Sequence, residues 1–282
     1  MKLSVELYTI AKKFGDFKAI EIIKNAGFDA IDYSFFYEKE EVLIGEFRDY
    51  AKKVKAHLDN VGLVCNQAHA PFSIRYELEE EDIKERYNYI VRSIEFASIL
   101  GAKNIVVHAL TVPYGVDFEK VNLEFYKSFI PYLEKFNIKL SVENLFTRDT
   151  KRKRILGKLG SPEELNKMVE QINSPFVNAC VDVGHASLTG FEPEIFIENT
   201  NPEYLQALHI QDTDYLEDKH LLPYLGELNW ENIMKALKKV EYKGDLTFEI
   251  VKYLEKVPEE MLPSALEFAN KIGRYLISIY EK

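Results

Sequence analysis

Four acidic or imidazole side chains lie at the ends of four apolar segments of the chain. Glu143 lies in SVEN, Asp182 in VDVGH, His209 in LHIQD and Glu249 in TFEI. Each segment has the composition of a buried strand that meets a loop at its polar residue. Buried carboxylates repel one another unless a cation neutralises them. The four residues therefore predict one divalent metal site, with Mn²⁺ or Zn²⁺ as the first candidates and Co²⁺ or Mg²⁺ as further ones.

Other histidines and one aspartate occupy similar positions. His69 and His108 end the third and fourth predicted strands, His185 follows the sixth, and Asp218 and His220 follow the seventh. A single histidine near a core is more often a residue satisfied by hydrogen bonds than a ligand. Several that converge on one opening favour a functional site instead. We therefore expect the metal site to lie in a histidine-rich mouth.

Residues so distant in sequence converge only if their strands are parallel neighbours in one sheet. Short apolar runs alternate with amphipathic helical segments along the whole chain. The predicted strands are Leu3–Thr9, Ala30–Phe35, Leu63–His69, Asn104–Ala109, Lys139–Leu145, Asn178–Val183, Leu205–Gln211 and Asp245–Ile250. Without a linker or composition break, this pattern predicts a single α/β domain over residues 1–282, a (β/α)8 TIM barrel. In such a barrel, catalytic groups lie at the carboxyl ends of the strands.

Local signals place several helix ends. Gly27 and Gly101 each follow a helical segment and precede a strand, as glycine does when it ends a helix in the left-handed conformation. Ser161, followed by proline and two glutamates, has the pattern of a helix start. A last helix from about Glu259 to Tyr280 is expected to complete the outer ring of the barrel.

The composition restricts the class of protein. The chain has 282 residues, of which 46% are hydrophobic and 29% charged, as is usual for a globular protein. Its formal net charge of −10 disfavours a nucleic acid or an acidic membrane as partner. Cys65 and Cys180 are predicted to be buried, reduced thiols. With no leader or membrane-spanning pattern, the sequence predicts a cytoplasmic protein, and it leaves a homo-oligomer open.

The motifs resemble those of the xylose-isomerase-like barrels, a family that includes sugar phosphate isomerases, ketose 3-epimerases and the endonuclease IV type of apurinic-site nuclease. They are HAPF at His69, VVH at His108, VEN at Glu143, DVGH at Asp182, HIQD at His209, DKH at Asp218 and FE at Glu249. The resemblance covers nearly the whole chain. It implies that the shared metal is held by Glu143, Asp182, His209 and Glu249. It also implies that His185 touches substrate in the epimerases or a further metal in the nucleases, and that the additional zinc ligands of the nucleases match His69, His108, Asp218 and His220.

Two departures from the nuclease pattern favour a small sugar or sugar phosphate as the substrate. The nucleases resemble Asp-Thr-Cys-His after the sixth strand, whereas this chain has the sequence Asp182-Val183-Gly184-His185. The segment Leu225–Trp230 has one glycine where the nucleases usually have two. The basic run Arg148–Arg154 points the other way, because it fits a solvated lid, a phosphate clamp or, as the least favoured of the three, a contact with a DNA backbone.

The sequence therefore predicts a divalent-metal-dependent isomerase or epimerase of a sugar or sugar phosphate. In this hypothesis, Glu143 and Glu249 remove and return a proton next to a carbonyl through a metal-stabilised enediolate, and His185 hydrogen-bonds the carbonyl oxygen. Candidates for stacking on the sugar are Tyr8, Phe35, Phe36, Phe72, Tyr114 and Phe146. The alternatives are a zinc-dependent apurinic/apyrimidinic-site phosphodiesterase and a non-catalytic sugar-binding barrel.

Overall fold

The structure, a computed structural model, describes residues 1–36, 45–72, 80–149 and 154–282. Eight of the described strands form one parallel sheet: β1 (Leu3–Glu6), β2 (Ala30–Ser34), β3 (Val64–His69), β4 (Asn104–Val107), β5 (Lys139–Glu143), β8 (Val177–Asp182), β9 (Leu205–His209) and β10 (Leu246–Phe248). Their order in the sheet is β10-β1-β2-β3-β4-β5-β8-β9. A parallel bridge between Ile210 and Phe248 joins β9 to β10. It brings the two ends of the sheet together and gives the predicted (β/α)8 barrel.

Helices connect the strands and cover the outside of the barrel. They are α1 (Tyr8–Phe14), α2 (Asp16–Asn25), α3 (Phe47–Val61), α4 (Glu80–Leu100), α5 (Phe118–Ser128), α6 (Ile130–Phe136), α7 (Pro162–Ile172), α8 (Val183–Leu188), α9 (Pro193–Asn199), α10 (Trp230–Lys239), α11 (Val251–Glu255) and α12 (Leu262–Glu281). In the part of the chain that the structure describes, none of them has both the length and the apolar composition needed to cross a membrane.

The predicted helix ends are confirmed at the residues that signalled them. The Ser161 hydroxyl accepts a hydrogen bond from the Glu164 amide at 3.2 Å, which caps the start of α7. Gly27 and Gly101 have φ angles of 95° and 86°, in the region that glycine adopts readily. The last helix begins at Leu262, because the three residues before it form a turn of 3₁₀ helix.

A β-hairpin follows β5 where a loop was predicted. Its strands are β6 (Leu145–Asp149) and β7 (Arg154–Lys158), which pair antiparallel with each other and with no other described strand. The side chains of the basic run Arg148–Arg154, interpreted above as a lid or clamp, lie outside the described residues. Because β6 begins two residues after Glu143, the hairpin stands at the carboxyl end of the barrel.

The barrel interior is layered. At the amino-terminal end, polar side chains bond to one another, as where the Asn178 amide donates to Asn104 Oδ1 at 2.8 Å. Two residues further along β4 and β8, Val106 and Cys180 form an apolar cluster with Ala207 of β9. Cys180, like Cys65, is a buried free thiol, as predicted. Two residues further again come the side chains at the carboxyl end, where the candidate site lies.

Candidate metal centre

The four residues that the sequence predicts as ligands of one metal ion converge at the carboxyl end of the barrel. Glu143 ends β5, Asp182 ends β8, His209 ends β9, and Glu249 follows β10 directly. All four are buried, and one ligand atom from each lies within 4.8 Å of those from the other three. His209 Nδ1 lies 2.7 Å from Glu143 Oε1 and 3.5 Å from Glu249 Oε2. We call these four residues the core donors.

The charges of the core donors affect one another strongly. Burial acts to raise the pKa of Glu143, but the imidazoles of His209 and His108 outweigh it and hold that pKa well below its usual value. Burial raises the pKa of Glu249. One proton on His209 can neutralise only one of the three carboxylates. A divalent cation fits this donor set better, because it supplies two positive charges to three carboxylates and one imidazole.

A second set of donors lies beside Glu143. His69 ends β3, and His108 follows β4 directly. His108 Nε2 lies 2.8 Å from Glu143 Oε2 and 3.0 Å from His69 Nε2. His69 Nδ1 lies 2.7 Å from the Ala70 carbonyl, so this nitrogen carries the proton and leaves Nε2 as a ligand-type nitrogen. Burial lowers the pKa of His108 to about 4, which keeps its ring neutral at physiological pH.

A third set consists of His185, Asp218 and His220. Ligand atoms from these three residues also lie within 4.8 Å of one another. His220 Nε2 is 3.0 Å from Asp218 Oδ2, and His185 Nε2 is 3.8 Å from Asp218 Oδ1. Burial acts to lower the pKa of His220, but the hydrogen bond to Asp218 and the nearby Glu249 raise it to about 10. The structure thus brings all nine predicted metal-ligand candidates to the same mouth, in three adjoining sets.

Two side chains that the sequence interpretation left without a role position these donors. Gln211 Nε2 donates to Asp182 Oδ2 at 3.1 Å and to Asp218 Oδ1 at 2.9 Å, and its Oε1 accepts from the His220 amide at 2.9 Å. It therefore links the core donors to the third set. Asn144 Oδ1 accepts from the Asp182 amide at 2.7 Å. Asn144 comes one residue after the end of β5, and Gln211 comes two residues after the end of β9. These positions at strand ends are the sequence signal from which a role could have been predicted.

Asp212 organises the loop that carries Asp218 and His220. This buried carboxylate accepts hydrogen bonds from the Tyr224 amide at 2.9 Å and from the Trp230 indole at 2.8 Å. Its other oxygen accepts from the amides of Thr213 and Leu228. A Cβ at Gly226 would lie 2.4 Å from Asp212 Oδ1, so the single glycine of this segment is required by the close approach of the carboxylate.

Two more carboxyl groups face the barrel interior near the core donors. Glu6 ends β1, and its Oε2 accepts from the Thr9 amide at 2.9 Å. Burial raises the pKa of Glu6 to about 8, against this hydrogen bond. Asp32 of β2 accepts from Ser34 Oγ and from Gln67 Nε2, both at 2.9 Å. The sequence interpretation assigned no function to either residue, although each is an acid within a short apolar strand.

A model of the xylose isomerase-like TIM barrel family matches residues 20–272. The chain belongs to this family. The match spans the core donors and both of the other donor sets, and it confirms the resemblance that the motifs indicated.

Two relatives are similar over most of the chain. Uncharacterized protein MJ1311 of Methanocaldococcus jannaschii is 27% identical over 217 residues, which are 72% of this chain and 70% of that protein. Uncharacterized protein y4fM of Sinorhizobium fredii is 26% identical over 258 residues, which are 82% of this chain and 79% of that protein.

Solved structures with the same fold include sugar epimerases. A D-tagatose 3-epimerase-like protein has a TM-score of 0.78 and 22% identity, with 100% of this chain and 98% of that chain covered. A D-psicose 3-epimerase crystallised in the presence of D-fructose has a TM-score of 0.75 and 15% identity, with 98% and 99% covered. An IOLI protein with a bound zinc atom has a TM-score of 0.79 and 16% identity, with 99% of each chain covered. At these identities, the likeness shows the fold alone.

The aromatic candidates separate into two groups within this family member. Phe36 and Phe72 stack on each other with centroids 4.7 Å apart, and Phe36 lies 5.0 Å from the ring of His69. Phe146 of the hairpin lies 5.2 Å from the ring of His185. Tyr8 packs against Phe36. Tyr8, Phe36 and Phe72 form an apolar wall beside His69, and Phe146 provides a separate apolar contact beside His185.

The other two aromatic candidates do not join this wall. Phe35 packs against Tyr33 and Phe96, on the side of β2 that faces the helices. Tyr114 is fully exposed in the connection between β4 and α5. The prediction was therefore wrong for Phe35, whereas Tyr114, in a loop at the carboxyl end of the barrel, remains a candidate for stacking on the sugar.

Proposed function

We propose that this protein is a divalent-metal-dependent isomerase or epimerase that acts on a small sugar or sugar phosphate. The observation that carries the proposal is the placement of two glutamates around one imidazole. Glu143 on β5 and Glu249 after β10 approach His209 Nδ1 from strands that β8 and β9 separate. A substrate carbon bound between them would have one carboxylate from each of these two strands within reach. Removal of a proton from one face of a carbon next to a carbonyl and return of a proton to the other face can use such a pair.

The core donors would hold the cation. When bound there, a divalent cation supplies positive charge that stabilises the oxygen anion formed as the carbon loses its proton. One of Glu143 and Glu249 removes that proton, and the other returns one. Return to the opposite face of the same carbon is epimerisation, and return to the adjacent carbon is isomerisation. His185, whose Nδ1 lies 3.8 Å from both Glu143 Oε1 and Asp182 Oδ2, would hydrogen-bond the carbonyl oxygen.

The surroundings of the donors agree with a sugar substrate. The wall formed by Phe36 and Phe72 offers a face on which the C–H side of a sugar ring or chain can pack. The carboxyl and imidazole groups opposite can bind hydroxyl groups. The epimerases and the zinc-bound structure among the similar folds support both the sugar and the metal in this proposal.

Solvent hydrogen exchange tests the reaction directly. D-Ketohexoses and their phosphates are incubated with the metal-loaded protein in D₂O, and deuterium at the carbon next to the carbonyl is measured by NMR. We expect Glu143→Gln and Glu249→Gln each to lower turnover by at least a thousandfold, because each removes one proton-transfer group. Substrate binding is expected to survive. The exposed Glu231→Gln serves as the matched control and is expected to retain activity.

The outcomes separate the proposal from its rivals. Full activity in both glutamine variants refutes the assigned roles. Sugar binding without exchange or turnover in the metal-loaded wild type refutes the enzyme and favours a sugar-binding barrel.

A second candidate function is favoured by the two additional donor sets. His69 and His108 lie beside Glu143, and His185, Asp218 and His220 form a set of their own. Three adjoining sets suit a zinc-dependent phosphodiesterase, in which more than one ion activates water and stabilises the leaving oxygen. Counting the metal ions in the zinc-loaded protein decides between this function and the sugar isomerase or epimerase. Two or three ions per chain together with cleavage of an abasic DNA duplex would replace the sugar proposal.

A further inference from the structure

We infer, on the basis of the proposed function, that Glu6 is a specificity-determining residue that binds a hydroxyl group of the sugar substrate. Glu6 lies at the carboxyl end of β1, next to Asp32 in the register of β1 and β2. On the other side, Val5 pairs with Phe248, so the next residues along the two strands, Glu6 and Glu249, are also neighbours. Glu6 is therefore the carboxyl group between β10 and β2 at the level of the core donors.

The Glu6 side chain faces the interior of the barrel. Leu3 and Val5 of the same strand belong to the core under the helices, whereas Ser4 bonds to Asn66 inside the barrel. Because side chains alternate along a strand, Glu6 points the same way as Ser4. It is 1% exposed. The position is thus inside the mouth and beside Glu249.

Glu6 does not belong to the donor sets. Among the described residues, the sets whose ligand atoms lie within 4.8 Å of one another do not include it. The Thr9 amide fixes its Oε2, and its Oε1 has no hydrogen-bond partner in the described part of the chain. An unpaired buried carboxyl oxygen destabilises a folded protein. A bound ligand that makes a hydrogen bond with Oε1 would supply the missing partner.

The neighbouring groups indicate what that ligand must offer. Both oxygens of Asp32 already accept hydrogen bonds from Ser34 and Gln67, so among the described residues Oε1 of Glu6 is the oxygen without a partner between Asp32 and Glu249. A hydroxyl group can satisfy a carboxyl oxygen whether the carboxyl is ionised or protonated. A phosphate would instead bring further acceptor oxygens and more negative charge close to the carboxyl groups of Glu6, Asp32 and Glu249. The hydroxylated part of the substrate therefore faces Glu6, and any phosphate lies elsewhere in the mouth.

Substitution of Glu6 tests the assignment when it is combined with changes in the sugar. Glu6→Gln keeps an acceptor for the Thr9 amide, and Glu6→Leu removes all hydrogen bonding at similar size. D-Fructose, D-psicose, D-tagatose and their singly deoxygenated derivatives are the probes. KM, kcat, the ligand-induced shift in Tm and the metal content are measured for each variant. Asp16→Asn, at a buried aspartate that accepts from the Tyr50 hydroxyl outside the barrel, is the matched control.

We expect Glu6→Leu to raise KM by roughly tenfold, the effect of one lost hydrogen bond, and to change kcat by less than about threefold. Glu6→Gln should lie between the wild type and Glu6→Leu. Removing one particular hydroxyl from the sugar should weaken binding to the wild type about as much, and should have no further effect on Glu6→Leu. The metal content and the Tm of each Glu6 variant, measured without sugar, are expected to be at least as high as those of Asp16→Asn.

The readouts separate this assignment from the proposed reaction. Turnover with equal KM for the wild type and Glu6→Leu supports the reaction and refutes the role of Glu6. A ketose-induced Tm shift that Glu6→Leu removes, without turnover by the wild type, supports Glu6 as a sugar-binding residue and refutes the reaction. Neither turnover nor a shift with any of these sugars refutes both. Loss of metal in Glu6→Gln would show a structural role at the metal centre and would overturn the assignment.

Discussion

The side chain of Gln211 occupies the space into which a side chain at Gly184 would project. A Cβ at Gly184 would lie 2.6 Å from Gln211 Cδ, closer than unbonded carbon atoms approach. The resemblance to the nucleases places a cysteine at this position, and with that cysteine Gln211 could not keep its present conformation. The glycine of the DVGH motif is therefore what allows Gln211 to bond Asp182 and Asp218 together.

Gly184→Ala is expected to displace Gln211 and to lower activity by at least tenfold. The reason is that residues bonded to metal ligands typically contribute 10- to 100-fold to metal affinity or activity. Overpacking should also cost roughly 1–3 kcal/mol of stability. Steady-state kinetics and urea unfolding of Gly184→Ala, Gln211→Ala and the double variant provide the measurement. The double variant should be no worse than Gln211→Ala, and additive losses would contradict the clash.

Removal of divalent metal is expected to destabilise the protein. Without a cation, the carboxylates of Glu143, Asp182 and Glu249 are buried close to one another with only imidazoles to balance them. Zinc or manganese at a concentration of a hundred times its dissociation constant should raise the free energy of unfolding by about 3 kcal/mol. Tm is measured after EDTA treatment and again after each metal is added. Asp182→Asn should lose most of the metal-induced shift, whereas Asp16→Asn should keep it; an equal shift in both would argue against the core donors.

The core donors could be predicted from the sequence because each lies where a short apolar strand meets a polar residue. The hairpin could not, since β6 and β7 mix basic, apolar and glycine residues and pair only with each other among the described strands. The direction of Phe35 was predictable but overlooked. It has the same parity along the chain as Tyr33, which faces the helices, whereas Phe36 has the parity of Ser34.

The roles of Gln211 and Glu6 are harder to predict for a different reason. Their sequence positions, near the ends of β9 and β1, are visible in the chain. What gives them their roles is the set of partners that the barrel brings from other strands, such as Asp182 for Gln211. Such partners depend on strand order and register, which a single sequence does not reveal.

Asp212→Ala is expected to destabilise the protein by about 3–5 kcal/mol. The buried carboxylate accepts four hydrogen bonds, and its loss leaves the Trp230 indole and three amides without their acceptor. Urea unfolding measures the loss. Trp230→Phe, which removes one donor, should cost about 1 kcal/mol from the hydrogen bond alone. Asp214→Ala in the same loop is the control, and a loss as large as that of Asp212→Ala would contradict the central role of Asp212.

Asp29 should make stability depend on pH in the acid range. Arg274 binds both of its oxygens, at 2.7 and 2.9 Å, and the Leu3 amide donates to Oδ2. Burial acts to raise the pKa of Asp29, but these hydrogen bonds lower it below its usual value. A depressed folded-state pKa stabilises the protein above the unfolded pKa of about 3.9, and this contribution disappears as the pH falls through the folded value.

The comparison is between wild type and Asp29→Asn. The side chain is 37% exposed, so we expect a difference of only about 1 kcal/mol at pH 6, and a smaller one at pH 3. Urea unfolding at both pH values measures it. Asp49→Asn, at a more exposed aspartate paired with Lys52, should have a smaller effect at pH 6. A difference for Asp29→Asn that grows as the pH falls would have the wrong sign for this explanation.

Apolar residues lie beneath the metal-site donors of β8 and β9, on the side toward the amino-terminal end of the barrel. The residue two positions before Asp182 is Cys180, and the residue two positions before His209 is Ala207; with Val106 they form a separate apolar cluster. Burial raises the pKa of the Cys180 thiol to about 12, so the thiol keeps its proton at neutral pH. Along these two strands, Cys180 and Ala207 lie between the donors Asp182 and His209 and the polar network at the other end of the barrel. In the proposed function, the mouth is the side from which the substrate reaches these two donors, and whatever fills that mouth also separates them from the surrounding water.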